Sequence, residues 1–358
     1  MATVLGCASQ QISSLYSESP QYGDNKFENS APTQPSGLRK TAKIIWRYIT
    51  EERSNTEPAE AIPMESIQLS GSATQSDDTV SLYRLGHSSL LLSLNSEFWL
   101  IDPVFGERAS PFSWMGPKRF HQTPIALDQL PNIRGVIISH DHYDHLDQST
   151  IEQLRDKVDT FITPLGVGQH LQKWGVDKSR IQELDWWQST TVDNVKLVAT
   201  PAQHFSGRGL TDGNQTLWAS WVIQVGEQKL FYSGDTGYFE GFKEIGNRFG
   251  PFDLTIMENG AYDKDWADIH MRPEETLQAH LDLGGKAMLP VHNSTFDLAF
   301  HSWQEPLNRL TALAEENGVT LITPTIGSRV ALKELNNHQA RWWQEMEETE
   351  QSLVLQTR

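Results

Sequence analysis

Arg134-Gly135-Val136-Ile137-Ile138-Ser139-His140-Asp141-His142-Tyr143-Asp144-His145 is the stretch whose reading decides the fold. Its first half is a short apolar, β-branched run behind a turn glycine, the pattern of a buried strand. Its second half crowds three imidazoles and their flanking carboxylates into six residues. Just downstream, Asp147 or Ser149 is placed to cap a helix that includes Ile151-Glu152-Gln153-Leu154. The histidine cluster therefore belongs on the loop that leaves the C-terminal end of a strand. Imidazole and carboxylate are the donors that Zn²⁺ takes, and iron and manganese accept them as well. Donors this close in sequence cannot all reach one ion, but an irregular loop can divide them between two.

Three later residues follow an apolar strand in the same way. The run 195–203 leads to His204, 230–234 to Asp235, and 287–291 to His292. The intervals are 59 residues from His145 to His204, then 31 to Asp235, then 57 to His292. One histidine after a strand is usually an ordinary loop residue. Together, and in this order, these residues read as one site.

The remaining chain sets bounds. Its 358 residues allow a large core and one or two domains. A formal charge of −17 disfavours a nucleic-acid binder, which needs a basic footprint. The single cysteine, Cys7, excludes an internal disulfide and a cysteine-rich zinc site. No run reaches the about 18 apolar residues of a spanning helix. Val4-Leu5-Gly6-Cys7 resembles the processing site of a bacterial lipoprotein, but the basic and apolar signal region is missing before it. Chance and trimming from a longer precursor both account for it. Localisation is thus open between the cell envelope and the cytoplasmic face of a membrane.

Along the chain, residues 1–37 read as an extended or disordered arm, rich in polar residues, Pro and Gly. In 38–49, Leu38, Ala42, Ile45, Trp46 and Ile49 fall at helical spacing, with Arg39, Lys40, Lys43 and Arg47 largely elsewhere on the wheel. This helix either lies on an anionic membrane or docks on the main domain. A polar linker follows to residue 79, so 38–79 forms one helix-and-linker unit. Residues 80–332 form the compact domain, β-rich early and alternating strand and helix later. That order suggests an α+β fold with two sheets face to face and helices outside. The tail, 333–358, reads as charged and helical.

The set HDHYDH, His204, SGDTGY with Asp235, and PVHNSTF with His292 resembles the metallo-β-lactamase fold, an αββα four-layer sandwich, here with an N-terminal extension. Arg108-Ala109-Ser110-Pro111, Gly116-Pro117-Lys118-Arg119-Phe120, Glu183-Leu184-Asp185-Trp186-Trp187, the run from Arg248 to Leu254, and His270 before Pro273 are similar to N-acyl-phosphatidylethanolamine-hydrolysing phospholipases D. The resemblance covers about residues 80 to 330. It implies a phospholipase D-type phosphodiesterase with two Zn²⁺, iron or manganese being chemically acceptable instead. One ion would take His140, His142 and His204, the other Asp144, His145 and His292, with Asp235 bridging. Water activated by the metals would convert N-acylphosphatidylethanolamine to phosphatidic acid and an N-acylethanolamine. Asp144 would also orient the nucleophile, and His270 would contact the phosphate or assist the leaving group.

Other residues are expected around the substrate. Lys118, Arg119, Trp186, Trp187 and His87 are candidates to contact it, and Asp102 to orient a metal-bound imidazole. Trp114, Trp218 and Trp221 are further aromatic candidates, the last two as easily core residues. The expected partners are a phospholipid and a membrane surface, with a homodimer left open. Two other functions fit the same residues: a hydrolase of the same fold acting on a lactone or a soluble phosphodiester, and a non-catalytic lipid-binding envelope protein.

Overall fold

The computed structural model describes residues 16–33, 38–69 and 79–347. A small hairpin, β1 (Tyr22–Gly23) and β2 (Lys26–Phe27), precedes helix α1 (Leu38–Thr50). Then β3 (Val80–Gly86), β4 (Ser89–Leu94), β5 (Glu97–Ile101), β6 (Ile133–Ile137), β7 (Val158–Pro164) and β8 (Ile181–Leu184) form a first sheet in that order. A second sheet collects β9 (Ser189–Val192), β10 (Val195–Thr200), β11 (Ser220–Val225), β12 (Gln228–Tyr232), β13 (Leu254–Glu258), β14 (Ala287–Val291) and β15 (Thr320–Leu321). β16 (Arg329–Ala331) returns to pair with β3. Helices α2 (Gln148–Leu154) and α3 (Gly168–Lys173) cover the first sheet, and α4 (Gly241–Phe249), α5 (Pro273–Leu283) and α6 (Glu305–Glu316) the second. This is the αββα sandwich expected from the sequence.

Each interface has a plain cause. Between the sheets lie inward-facing residues such as Leu92, Trp99, Leu197, Trp221, Tyr232 and Ile256. Outside, Ile151, Leu154 and Leu171 pack on Val136 and Phe161, while Phe242, Leu277 and Leu310 pack on Phe231 and Met288. Full burial of each large apolar side chain contributes about 1.5–3 kcal/mol. Trp99 pairs with Gly135 across β5 and β6, and a Cβ on that glycine would lie 2.3 Å from the indole. Gly135 is therefore a packing requirement in the middle of β6, paired with Trp99 and Thr160, and not the turn glycine that the sequence suggests. The Asn95-Ser96 turn has positive φ at both residues, as a tight two-residue hairpin demands.

Strand direction places the site. β10, β11 and β12 are successively antiparallel, and β12 to β14 are parallel. Hence β10, β12 and β14 all run the same way, and His204, Asp235 and His292 emerge at one edge. β6 delivers the HDHYDH loop opposite them. Asp147 caps α2, accepting from the backbone N–H groups of Ser149 and Thr150.

Two expectations about the N-terminus change. Residues 16–33 are not a free arm: Phe27 is fully buried, its ring lies against Tyr16 and Tyr22, and its N–H donates to the Asn214 carbonyl. The linker also packs down, burying Ile62 and Ile67. Helix α1 does dock on the domain, but through its basic side. Arg47 donates to Asp263 and Asp265 at 2.6 and 2.5 Å, its guanidinium lies 4.0 Å above the Phe300 ring, and Lys43 pairs with Asp265 at 2.6 Å. Ile45, Trp46 and Ile49 are left 55%, 66% and 74% exposed. The wheel gave the two faces correctly; the acidic pair 216–218 residues away decides which one turns inward.

In the expected helical tail, a short 3₁₀ segment covers Leu332–Asn337 and a helix begins at Trp342. The Val4-Leu5-Gly6-Cys7 motif and everything after residue 347 lie outside the described residues. Among the described residues no helix is long and apolar enough to cross a membrane.

Candidate metal centre

The four strand ends bring their side chains together. His140, His142, His204 and Asp235 form one donor group, and His87, Asp144, His145 and His292 another, the ligand atoms of each lying within 4.8 Å of one another. In the first group His140 Nε2 is 2.9 Å and His204 Nε2 3.2 Å from His142 Nδ1. In the second, His292 Nε2 lies 3.3 Å and His145 Nε2 3.7 Å from Asp144 Oδ2. Asp235 stands between the groups. Its Oδ1 is 3.0 Å from His145 Nε2, and its Oδ2 is 3.0 Å from His292 Nε2 and 3.8 Å from both His140 Nε2 and His204 Nε2.

The hydrogen bonds behind the rings test whether cations fit. His204 Nδ1 donates to the Ile269 carbonyl at 3.0 Å, so in the neutral ring Nε2 is a bare lone pair. His145 Nδ1 donates to Asp102 at 2.7 Å, with the same result. His145 Nε2, His292 Nε2 and Asp235 Oδ1 are buried without a hydrogen-bond partner. Buried lone pairs aimed at one another are costly unless something positive lies between them. The donor set fits two divalent cations sharing Asp235.

The electrostatics agree. Burial holds His140, His142 and His204 below the usual imidazole range, which keeps them in the neutral form that binds a cation. Burial opposes charge on His145 and His292 too, but the Asp235 and Asp144 carboxylates outweigh it. His145 is held well above its ordinary value and His292 at about 10. Asp235 is pushed up by burial and pulled further down by those same rings, ending well below the carboxylate range. The carboxylates thus hold positive charge on these rings just where a metal would supply it.

Supports explain the precision. Asp102 is fully buried and accepts from the Ser139 N–H and hydroxyl, the Tyr232 hydroxyl and His145 Nδ1, at 2.5–2.7 Å. Its expected role toward an imidazole therefore has a specific atom, His145 Nδ1. Asp141 turns away from the donors, accepting from the Gly207 N–H and the Thr216 hydroxyl. Asp102, His87 and His292 all have positive φ. Such conformations cost about 1–3 kcal/mol each in non-glycine residues, and here they cluster at and behind the candidate donors. A Cβ on Gly260 would lie 2.0 Å from the His292 carbonyl, so the loop beyond β13 needs glycine to approach His292.

His270 joins Asp235 and His292 in a third donor group. Its Nδ1 lies 3.1 Å from Glu258, a fully buried carboxylate raised by that burial and also accepting from the Thr236 and Met271 N–H groups. Glu258 escaped the sequence reading, since a glutamate ending an apolar strand looks like a boundary residue. His142, Asp144, His204, Asp235, His270 and His292 line a pocket of about 820 Å³, with Ile44, Phe205, Trp266 and Leu298 among its apolar residues and Lys26 and Lys40 among its basic ones.

The expected substrate residues do not line that pocket. His87 is 1% exposed and lies behind Asp144, its Nε2 3.0 Å from Oδ2. Arg119 has a buried guanidinium that donates to the Val104 carbonyl and lies over Phe296, while Lys118 is exposed on the bridge to Arg108. Trp186 belongs to the core, its indole N–H donating to the Trp218 carbonyl, and Trp187 packs beneath Arg248. Trp218 and Trp221 are core residues, and Trp114 is 72% exposed beside Phe112. Tryptophan packs into cores, and an arginine can be buried where backbone carbonyls satisfy it, as at Arg119, so composition does not separate these from ligand contacts.

Comparison with known proteins points the same way. Residues 99–293 match the β-lactamase superfamily domain. An uncharacterised protein of Mycobacterium tuberculosis (H37Rv) is 43% identical over 332 residues, 91% of this chain and 88% of its own length. N-acyl-phosphatidylethanolamine-hydrolyzing phospholipase D 1 of Caenorhabditis elegans is 31% identical over 309 residues, covering 81% of this chain and 86% of that protein. Among solved structures, an isothiocyanate hydrolase from Delia radicum gut bacteria superposes with a TM-score of 0.57 at 20% identity, covering 70% of this chain and 98% of that one. With two sheets, convergent histidine and aspartate donors and these relatives, the chain belongs to the β-lactamase superfamily, as a hydrolase of the metallo-β-lactamase fold.

Proposed function

We propose that this protein is a binuclear zinc phosphodiesterase of the phospholipase D type, converting N-acylphosphatidylethanolamine and water to phosphatidic acid and N-acylethanolamine. The observation that carries this reading is a doubled donor set, joined by Asp235, on the floor of an apolar-walled pocket. The likeness to the nematode phospholipase supports the substrate class. Bound divalent cations would neutralise phosphoryl oxygens and lower the pKa of water.

The chain's own groups do the rest. Asp144, fixed by His87 Nε2, accepts a hydrogen bond from the attacking water and aligns it with phosphorus. The water oxygen forms the new P–O bond as the bond from phosphorus to the ethanolamine oxygen breaks. His270, oriented through Nδ1 by Glu258, presents Nε2 toward the leaving oxygen, which must gain a proton. Walls of Ile44, Phe205, Trp266 and Leu298 accept acyl chain and limit water.

Assay of the full chain with metal analysis tests this. Two Zn²⁺ per chain and the two named products are expected, with ¹⁸O from labelled water entering phosphatidic acid. Label in the N-acylethanolamine would overturn attack at phosphorus. Faster turnover of a lactone or a soluble diester would overturn the lipid assignment. A metal-poor chain that binds vesicles without turnover would be the non-catalytic protein.

A lipid surface is the partner that suits this substrate. Ile44 and Lys40 of α1 line the pocket, while Ile45, Trp46 and Ile49 of the same helix face solvent beside it. With Arg47 and Lys43 engaged internally, contact rests chiefly on the apolar face. Replacing Ile45, Trp46 and Ile49 together by Ser should weaken sedimentation with phospholipid vesicles by about ten-fold or more. Turnover of a soluble diester should stay the same. Unchanged vesicle binding would remove the helix from the interface.

A further inference from the structure

His204 has an unusual support. It lies in the irregular stretch between β10 and β11, beyond the ladder that fixes residues 195–200. The Asn29 side chain takes the place of a strand partner. Its Nδ2 donates to the His204 carbonyl at 2.7 Å, and its Oδ1 accepts from the His204 N–H at 3.0 Å. The same Oδ1 accepts from the indole N–H of Trp218 at 3.1 Å, and Trp218 is itself buried. A carboxamide presents an N–H donor beside a C=O acceptor in one plane, which is what a strand residue's N–H and C=O need from a neighbour.

Asn29 is held there by the segment that carries it. Phe27, two residues earlier, is fully buried and bonds through its N–H to Asn214 in the same stretch as His204. The imidazole of His204 is steadied from another side by the Ile269 carbonyl. That loop is held in turn by α1, through Arg47 and Lys43 on Asp263 and Asp265. Both supports of this one ligand therefore depend on residues 22–50. His140, His142, Asp144, His145, Asp235 and His292 have no such dependence in the hydrogen bonds and ion pairs described above.

We propose that Asn29 is a positioning residue of the metal centre, and that the N-terminal strap 16–33 sets the affinity of the His140, His142 and His204 half for its cation. The proposal rests on the metal reading of the site and is independent of the substrate. Groups that orient metal ligands commonly govern affinity by about 10–100-fold. Coupling of this kind is reciprocal: what the strap does for the ion, the ion does for the strap.

The test uses the full chain stripped of metal. Asn29→Leu removes the donor and the acceptor at similar volume. Zn²⁺ affinity by competition with a chelating dye should fall about 10–100-fold for one of two ions and less than about three-fold for the other. The Co²⁺-loaded protein should lose the visible absorption of one site and keep that of the other. Asn29→Asp, which retains the acceptor, should fall between Leu and the parent chain. Asn25→Gly, on the hairpin tip, should bind both ions normally. Two normal affinities in Asn29→Leu, or equal weakening of both, would overturn the proposal. A measurement on the unmodified chain covers a variant that does not fold. Hydrogen exchange in peptides from residues 16–33 should slow about ten-fold on Zn²⁺ loading. Equal exchange with and without Zn²⁺ would overturn it as well.

Discussion

Asp144→Asn should fold, melt within a few degrees of the parent chain, and lose about 10²–10⁴-fold of its hydrolytic rate. The carboxylate lies on a loop with 15% of its side chain exposed, and asparagine matches its volume, so packing is little disturbed. Burial pushes its carboxyl up, but His145, His292 and His87 together hold it well below the usual range, so it is an anion at neutral pH. Asparagine keeps the shape but puts an N–H₂ or a weaker acceptor where His87, His292 and the attacking water meet an oxygen. The expected defect is in kcat, with vesicle binding untouched. Steady-state rates on vesicles and a melting curve are enough to read it. Turnover near that of the parent chain would take Asp144 out of the chemistry.

The second large effect is at Asp102. Asp102→Ala should cost about 3–5 kcal/mol of stability, measured by denaturant unfolding with the metal chelated so that ion binding does not enter. The side chain is fully enclosed, and its removal leaves Tyr232, Ser139 and His145 donors facing a void. Asp102→Asn separates charge from shape. It should lose less stability yet bind the ion at His145 about 10–100-fold more weakly, because the carboxylate that fixes the imidazole tautomer is gone. Parent-like affinity in the Asn variant, seen by the same chelator competition, would reduce Asp102 to a packing residue.

What could be read beforehand follows from how local each signal is. The HDHYDH loop, His204, Asp235 and His292 were legible because each ends an apolar run, and strand direction then carries them to one edge. The sandwich followed from the change between β-rich and alternating order. Asn29 and Glu258 were not legible. An asparagine in a polar stretch and a glutamate at a strand end acquire meaning only from atoms far along the chain, 175 residues away for Asn29. Which face of α1 turns inward was not legible for a related reason: periodicity separates its faces, and Asp263 with Asp265 chooses between them. Arg119, Trp186 and Trp187 carry chemistry suited to a phospholipid, but their packing keeps them out of the pocket.

The donors are drawn from both leaves of the sandwich: His140, His142, Asp144 and His145 follow the first sheet, while His204, Asp235 and His292 follow the second. In the metal reading proposed above, a cation gripped this way would be a rivet through the molecule. Neither leaf could then slide or splay at that end without first letting it go. Catalytic equipment and mechanical fastening would then be the same few atoms, and a chain deprived of its ions would come apart first along the seam where it works.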